Sequence, residues 1–566
     1  MAYASAKPGR ATPRPHTDLH MPTITIDGKP CDFEGNKNIL QVALDNGIEI
    51  PHYCYHDGLS VAASCRICLA EVASPNPRND NKVELIPKLV PTCQTPAADG
   101  MEVHTQSPKA IANQKAVMEY LLINHPLDCP VCDQAGECLL QDYSYKYGNG
   151  ASRFEENKIK QPKKDMGPTI LLYSDRCIMC SRCVRFTQEV TGTNEIGIFG
   201  RGSSEQIDIF PGKPLDNELA GNVVDICPVG AFLDKDFLMS MRVWNLTSTP
   251  SIDGITASGD NLMLEHNEGR IYRVKPRTNL DVNQWWTSDE IRYGWKFVHS
   301  DDRLTSPSLL PEGGADLQER QAVDWNVGLE AAAKGLRDVA DRFGAGSLAL
   351  VVSPMLTCED AYELAKLARA IDPNAHLAVG PVPFEGEDKT FPGNYTIYAE
   401  KAPNARGVRR ALGLISDNVL EFDQLAAKSS EFSALILTGN YASNWTTPGI
   451  VQLVKDKFSV VLDTLPSAIT NNADVLLPAV TWAEKAGTFE NVNHRLQSFG
   501  PAIPAIEFAR PEAQIALDLL HFTTDAERRV YAADQTRADM GGCFTTDVHH
   551  PPAPAQASSD VQYVAL

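Results

Sequence analysis

Cys177-Ile-Met-Cys180-Ser-Arg-Cys183 and, further along the chain, Asp225-Ile-Cys227-Pro228-Val-Gly-Ala231 carry the most specific signal in the sequence. Three thiolates two residues apart cannot close around a four-iron cubane by themselves. In a cluster-binding C-x2-C-x2-C run, a fourth Cys followed by Pro comes after three more residues. Here that position is Thr187. Cys227, directly before Pro228, is therefore the expected fourth ligand, reached by a chain that folds back on itself.

Working outward, eleven of the fourteen cysteines fall between Cys54 and Cys227. Upstream stands His125-Pro-Leu-Asp-Cys129-Pro-Val-Cys132-Asp-Gln-Ala-Gly-Glu-Cys138, which is H-x3-C-x2-C-x5-C. Three cysteines there lack a fourth thiolate, so His125 is the expected donor to a [4Fe–4S] cluster. On spacing alone, zinc held by three cysteines and one histidine is also open. Further upstream, Cys54, Cys65, Cys68 and Cys93 form C-x10-C-x2-C with a later Cys. Four thiolates suit a [2Fe–2S] core, with a four-cysteine zinc site as the alternative.

At 566 residues the chain should form several domains. A net charge of −21 argues against a nucleic-acid surface, which needs a basic footprint. There is no apolar run of eighteen residues, so no transmembrane helix is expected. Residues 1–20 are Pro-rich and lack an apolar core, which predicts a disordered extension and not a secretory signal. Without that signal, C-x2-C pairs point to metal or redox chemistry and not to disulfides.

Thr23–Ile26, the turn Asp27-Gly28 and the return through Cys31-Asp-Phe33 predict a hairpin. A helix should follow with Ile39, Leu40, Ala43 and Leu44 on its buried face and Asn46-Gly47 as its stop. Leu69–Val72 reads as a strand and Ser74–Lys82 as an exposed loop. Pro108–Asn124 reads as an amphipathic helix ending at His125, and Leu171–Tyr173 as a short strand. After about Trp244 no C-x-x-C remains. Val327–Phe343 and Thr357–Ile371 predict helices, the first burying Leu329, Ala333, Leu336, Ala340 and Phe343. Leu348–Val352, Leu377–Val379, Ala434–Leu437, Ser459–Leu462 and Val475–Leu477 predict strands. Alternation of this kind implies parallel α/β layers. Residues 546–566 read as a disordered tail.

Hairpin, helix and C-x10-C-x2-C resemble the β-grasp fold of plant-type [2Fe–2S] ferredoxins, with a first spacing longer than C-x4-C. The His125–Cys138 string resembles the His-ligated [4Fe–4S] segment of NADH:quinone oxidoreductase (respiratory complex I). Asn283–Arg292, and Ala473–Asn491 with Arg495, resemble the molybdopterin oxidoreductase fold. That resemblance has departures: Thr249–Ala257 has no Cys where active members carry a cluster segment, and only Cys358 and Cys543 follow. The chain also stops early for the full fold.

Across most of its length the chain resembles the large iron–sulphur subunit of bacterial complex I. The resemblance implies a multidomain α+β and α/β protein. It has a [2Fe–2S] β-grasp domain at 21–105, a one-His three-Cys [4Fe–4S] segment at 106–145 and a [4Fe–4S] ferredoxin-like domain at 146–243. A truncated molybdopterin-oxidoreductase-like domain without an active metal site follows at 244–545. The implied ligands are Cys54, Cys65, Cys68 and Cys93; His125, Cys129, Cys132 and Cys138; and Cys177, Cys180, Cys183 and Cys227. The implied cofactors are one [2Fe–2S] and two [4Fe–4S] clusters, with no molybdopterin and no catalytic residue. The implied partners are the flavin-bearing and quinone-side subunits of the peripheral arm, on the cytoplasmic face of the bacterial inner membrane. The rivals are a molybdenum-dependent formate dehydrogenase large subunit, the electron-transfer subunit of an NAD-linked hydrogenase, and a zinc-stabilised assembly scaffold.

Overall fold

The computed structural model describes residues 21–311, 320–524 and 526–541; the extension and tail expected at 1–20 and 546–566 lie outside the described residues. β1 (Thr23–Ile26) and β2 (Lys29–Asp32) pair through Asp27-Gly28. Both turn residues are left-handed, at φ 47° and 85°, as a two-residue hairpin demands. α1 (Ile39–Asp45) is opened by a capping box in which Asn38 and Gln41 bond each other's backbone. β3 (Leu69–Asn76), β4 (Lys82–Leu85), β5 (Val90–Pro91) and β6 (Glu102–His104) complete a mixed sheet ordered β2-β1-β6-β3-β4, with β5 on β3 and β6 parallel to β1. This is the β-grasp arrangement. Ile24, Ile39, Leu40, Val72 and Val103 form its core, with Cys68 and Cys93 part of the same cluster.

Two sequence expectations change here. Val42 is buried in α1 while Leu44 is 39% exposed, so the apolar stripe is turned towards Val42. The expected loop from Ser74 begins as strand, because β3 runs to Asn76. Asp80 and Asn81, both at positive φ, then turn it back into β4.

α2 (Pro108–Leu122) is capped by Ser107 with Pro at its first position. It stops two residues short of Asn124, where the Lys158 ammonium binds the carbonyls of Leu122 and Ile123 at 2.7 and 2.9 Å. α3 (Leu139–Tyr147) packs against α2 and runs past residue 145, where the sequence reading sets a domain boundary. β7 (Lys163–Asp165), β8 (Ile170–Tyr173), α4 (Arg182–Arg185), the hairpin β9 (Ile196–Phe199) and β10 (Gln206–Ile209), α5 (Asn222–Ile226) and β11 (Phe232–Asp234) follow. β8 is the central strand of a β11-β8-β7 sheet.

A three-stranded antiparallel sheet comes next: β12 (Thr247–Ile252), β13 (Asn261–Asn267) and β14 (Arg270–Pro276). The buried Asp253 carboxylate organises the loop between β12 and β13. It accepts from Ile255 N (2.8 Å), Thr256 N (3.1 Å), Thr256 Oγ1 (2.5 Å) and Ser258 Oγ (3.1 Å). α6 (Asp289–Tyr293) ties this module to α5. Arg292 bonds Asp225 at 2.5 Å, and Asn222 exchanges hydrogen bonds with Thr287.

The remaining residues build a doubly wound sheet. β15 (Ser308–Leu309) and β16 (Gln321–Ala322) form an antiparallel edge. α7 (Trp325–Phe343), β17 (Leu348–Val352), α8 (Cys358–Ile371) and β18 (His376–Val379) follow, then the hairpin β19 (Lys389–Thr390) and β20 (Thr396–Ile397). Next come α9 (Ala405–Gly413), β21 (Val419–Glu421), α10 (Phe422–Ala427), β22 (Ala434–Thr438), α11 (Pro448–Lys455), β23 (Phe458–Asp463), α12 (Ala468–Asn472) and β24 (Val475–Pro478). The hairpin β25 (Gly487–Glu490) and β26 (Leu496–Phe499), then α13 (Glu512–Thr524) and α14 (Ala533–Met540), close the described chain. The parallel strands lie in the order β24-β23-β22-β17-β18-β21, so winding reverses between β17 and β22. β17 and β22 are buried along their whole length, as strands covered on both faces must be. Phe343, expected on the buried face of α7, is 56% exposed at its last residue.

Candidate metal centres

The first sulphur group converges at the edge of the β-grasp core. Cys68 and Cys93 place their sulphurs 3.6 Å apart as free thiols, and Cys54 shares hydrogen bonds with both Cys65 and Cys93. Cys54, Cys68 and Cys93 are buried and Cys65 is half-buried. Ala63 and Arg66, at φ 48° and 59°, curl the loop around the sulphurs. Hydrogen bonds from the Cys65 and Cys93 side chains, helped by the backbone N–H groups of Cys65 and Ser64, pull the Cys54 thiol far down. Cys65 and Cys93, which donate to it, are pushed up by that pairing. Four sulphurs that share protons in this way form a donor set able to take up a cationic core in place of those protons.

The second group lines one hollow: His125, Cys129, Cys132 and Cys138, with Asp128, Ala135, Gln141, Arg176 and Gly230. His125 follows the end of α2. Cys129 starts a single 3-10 turn, and Cys138 is the residue before α3. Burial, then Arg176 and Lys158, lower His125 to about 4, which keeps the imidazole neutral, the form that ligates. Gly230 is the neighbour sequence reasoning missed: a Cβ there would meet Cys132 Sγ at 2.3 Å.

The third group lines one hollow: Cys177, Cys180, Cys183 and Cys227, walled by Ile178, Ile207, Val229, Ala231 and Phe232. Met179 and Ser181, at φ 53° and 60°, alternate with the cysteines and curl the run inward, so that Met179 N donates to Cys177 Sγ at 3.4 Å. α5 ends at Cys227 and delivers it opposite the run. Burial pushes Cys177 up to about 12 and Cys180 to about 11. Thr187 turns its hydroxyl to the Val184 carbonyl at 3.1 Å and takes no part.

These residues fit iron–sulphur cores. Among the described residues no group of three or more His, Cys, Asp or Glu side chains is drawn together as ligands of one ion. The donor chemistry carries the fit: free thiols with one imidazole in the second group, and a backbone N–H turned to sulphur at Met179.

The three groups are neighbours. Arg185 Nη2 donates to the carbonyls of Cys54 (2.5 Å) and Cys180 (3.4 Å). Leu139 N, beside Cys138, donates to Pro228 O, beside Cys227, at 3.1 Å. Tyr53 packs on Tyr143 of α3 at 5.3 Å, and His56 stacks on the buried Trp286 at 5.5 Å. Arg182, Arg185 and Trp286 were not singled out from sequence. The only signal was that Arg182 lies inside the cysteine run and Arg185 two residues after it.

Residues 20–108 match a 2Fe-2S iron-sulfur cluster binding domain. Residues 114–153 match the NADH-ubiquinone oxidoreductase-G iron-sulfur binding region, and 167–233 the ferredoxin-like domain of NADH-quinone oxidoreductase subunit 3. Residues 246–296 match the NDSU1/NuoG-like 4Fe-4S domain of NADH-ubiquinone oxidoreductase, although this stretch contains no cysteine. Residues 386–522 match molybdopterin oxidoreductase. The iron-sulfur protein 1 of mitochondrial NADH dehydrogenase [ubiquinone] from Solanum tuberosum is 40% identical over 57% of this chain and 42% of its own length. An NADH-quinone oxidoreductase subunit from Rickettsia felis is 34% identical over 66% of this chain and 52% of its own. The chain thus spans about half the length of the curated relatives it matches. A solved chain of an NAD+-reducing [NiFe]-hydrogenase in the H2-reduced state covers 39% of this chain and 91% of that chain, at 29% identity and a TM-score of 0.34. The chain is a homologue of the NuoG-like iron–sulphur subunits of NADH-quinone oxidoreductase.

Proposed function

We propose that this chain is an electron relay of an NADH:quinone oxidoreductase, taking single electrons from a flavin-bearing partner and passing them towards quinone-side subunits. The observation that carries the reading is three tetrads of soft donors held in mutual contact. Cys54, Cys65, Cys68 and Cys93 hold a [2Fe–2S] core. His125, Cys129, Cys132 and Cys138 hold one [4Fe–4S] core, and Cys177, Cys180, Cys183 and Cys227 the other. Such cores supply reversible one-electron chemistry when bound. The protein's part is to set charge, hydration and distance. Thiolates neutralise iron, and backbone N–H groups such as Met179 N stabilise the added negative charge. Ile207, Val229 and Phe232 keep water from the third site. The Cys177 site stands between the others, touching the first through Arg185 and the second through Leu139 and Pro228.

No helix among the described residues is long and apolar enough to cross a membrane. From the likeness to subunits of NADH-quinone oxidoreductase we assign the chain to the peripheral arm, at the cytoplasmic face of a bacterial inner membrane, held there by its partners. Elemental analysis and low-temperature EPR of the anaerobically purified chain test the reading. Two, four and four irons give about ten per chain, with one two-iron and two four-iron signals. Stoichiometric zinc at these cysteines, or stoichiometric molybdenum, would overturn it.

A further inference from the structure

We propose that Arg182 is a counter-cation shared by the Cys54 and Cys177 sites, holding the reduction potentials of both up together and leaving the His125 site alone. The inference rests on the iron–sulphur reading of those sites.

Arg182 sits between Cys180 and Cys183 and is buried. Its guanidinium spans the gap between two ligand loops. Nη1 donates to Ile226 O at 3.1 Å, the residue before Cys227, and Nη2 donates to Tyr55 O at 2.5 Å, the residue after Cys54. Nε has no hydrogen-bond partner among the described residues. Two other buried arginines of this region have carboxylates: Arg176 pairs with Asp128 at 3.0 Å and Arg292 with Asp225 at 2.5 Å, whereas Arg185, beside Arg182, bonds the Cys54 and Cys180 carbonyls. Among the described residues none lies within 4.0 Å of Arg182. Backbone carbonyls alone do not repay the desolvation of a buried charge. The groups that can become anionic around it are the Cys180, Cys227 and Cys54 sulphurs, with the Arg185 guanidinium beside them. The compensation must therefore come from the two thiolate sites.

The electrostatic consequence follows. Each site gains one negative charge on taking up an electron, with no bond made or broken. A fixed cation in a dry interior favours the more negative state, so it raises the potential of every site it faces. Arg182 faces two. The His125 site has its own neighbour in Arg176, already neutralised by Asp128.

The test is an EPR-monitored redox titration of the full-length, cluster-loaded chain carrying R182Q or R182K. In R182Q the Cys54 and Cys177 sites should both become harder to reduce. The expected change is about tenfold in the reduced-to-oxidised ratio at a fixed potential, roughly 59 mV for a one-electron couple. The His125 site should not move. R182K keeps the charge and loses the planar fork, and should restore most of the shift. Full iron with wild-type potentials in R182Q overturns the proposal, as does a fall at one site only. If R182Q does not load, R182M, which also removes the charge, decides: a tenfold fall at both sites supports the shared charge, and wild-type potentials overturn it. A wild-type chain with no cluster signals would instead sink the iron–sulphur reading itself.

Discussion

Arg182 and Lys485 are both buried cations, but only Lys485 has acidic company. Its ammonium lies 2.8 Å from Asp360 and 2.5 Å from Glu512, and all three side chains are at most 1% exposed. Nearby, Arg303 pairs with Glu484 at 2.9 Å and Arg537 with Glu359. Lys485 and Asp360 sit on segments that follow the carboxyl ends of β24 and β17, the end where open α/β sheets commonly receive a ligand. The C-terminal domain fills that position with its own ion triad. The N-terminal modules do the reverse, presenting free thiols and an arginine whose balance must come from something bound. One half pairs these buried cations with its own carboxylates, whereas the other leaves Arg182 to the sulphur sites it faces.

The sharpest way to break that contrast is Cys227→Ala. Iron should fall from about ten to about six per chain, or about nine if a three-iron remnant persists. The signals of the other two sites and the fold of residues 320–524 should survive. Concurrent loss of the C-terminal fold would show that the halves are not independent.

Lys485→Met probes the other side. It leaves two buried carboxylates facing each other and should cost about 3–5 kcal/mol in chemical denaturation, with EPR signals intact. Burial, only partly opposed by Lys485, raises Glu512 to about 7. Unfolded, the carboxyl titrates near about 4.3. Folding therefore takes up a proton between those values, and stability falls as pH rises through that window. Without the lysine the carboxylates need protons more, so the variant's deficit should shrink on going from about pH 8 to about pH 5. A deficit independent of pH would place its origin in packing.

His125→Cys should keep a cluster and lower its potential, since thiolate brings more negative charge than imidazole. An unmoved potential would remove His125 from the ligand set. The smallest effect separates core from rim in α7. Leu336→Ala should cost about 2–5 kcal/mol and Phe343→Ser about 0.5 kcal/mol or less.

Much of this was legible in the sequence because the signals are covalent spacings or continuous apolar runs. Cys177, Cys180, Cys183 and Cys227 do line one hollow, and the strands from Leu348 to Val475 appear nearly where alternation put them. What escaped depended on neighbours distant in the chain. Leu44 and Phe343 satisfy a helical period yet lie at helix ends that nothing covers. Ser74–Asn76 joins a strand because β4 returns to pair with it. Arg182 and Gly230 owe their roles to loops that meet only in three dimensions.

The cysteine-free stretch at 246–296 has a consequence for a cell short of iron. Its β12–β13 loop is gathered by the Asp253 carboxylate and hydrogen bonds from Ile255, Thr256 and Ser258, none of which waits on a metal supply. The shape of this loop is set by the chain's own hydrogen bonds, so iron supply bears on the three thiol-bearing sites and not on this turn.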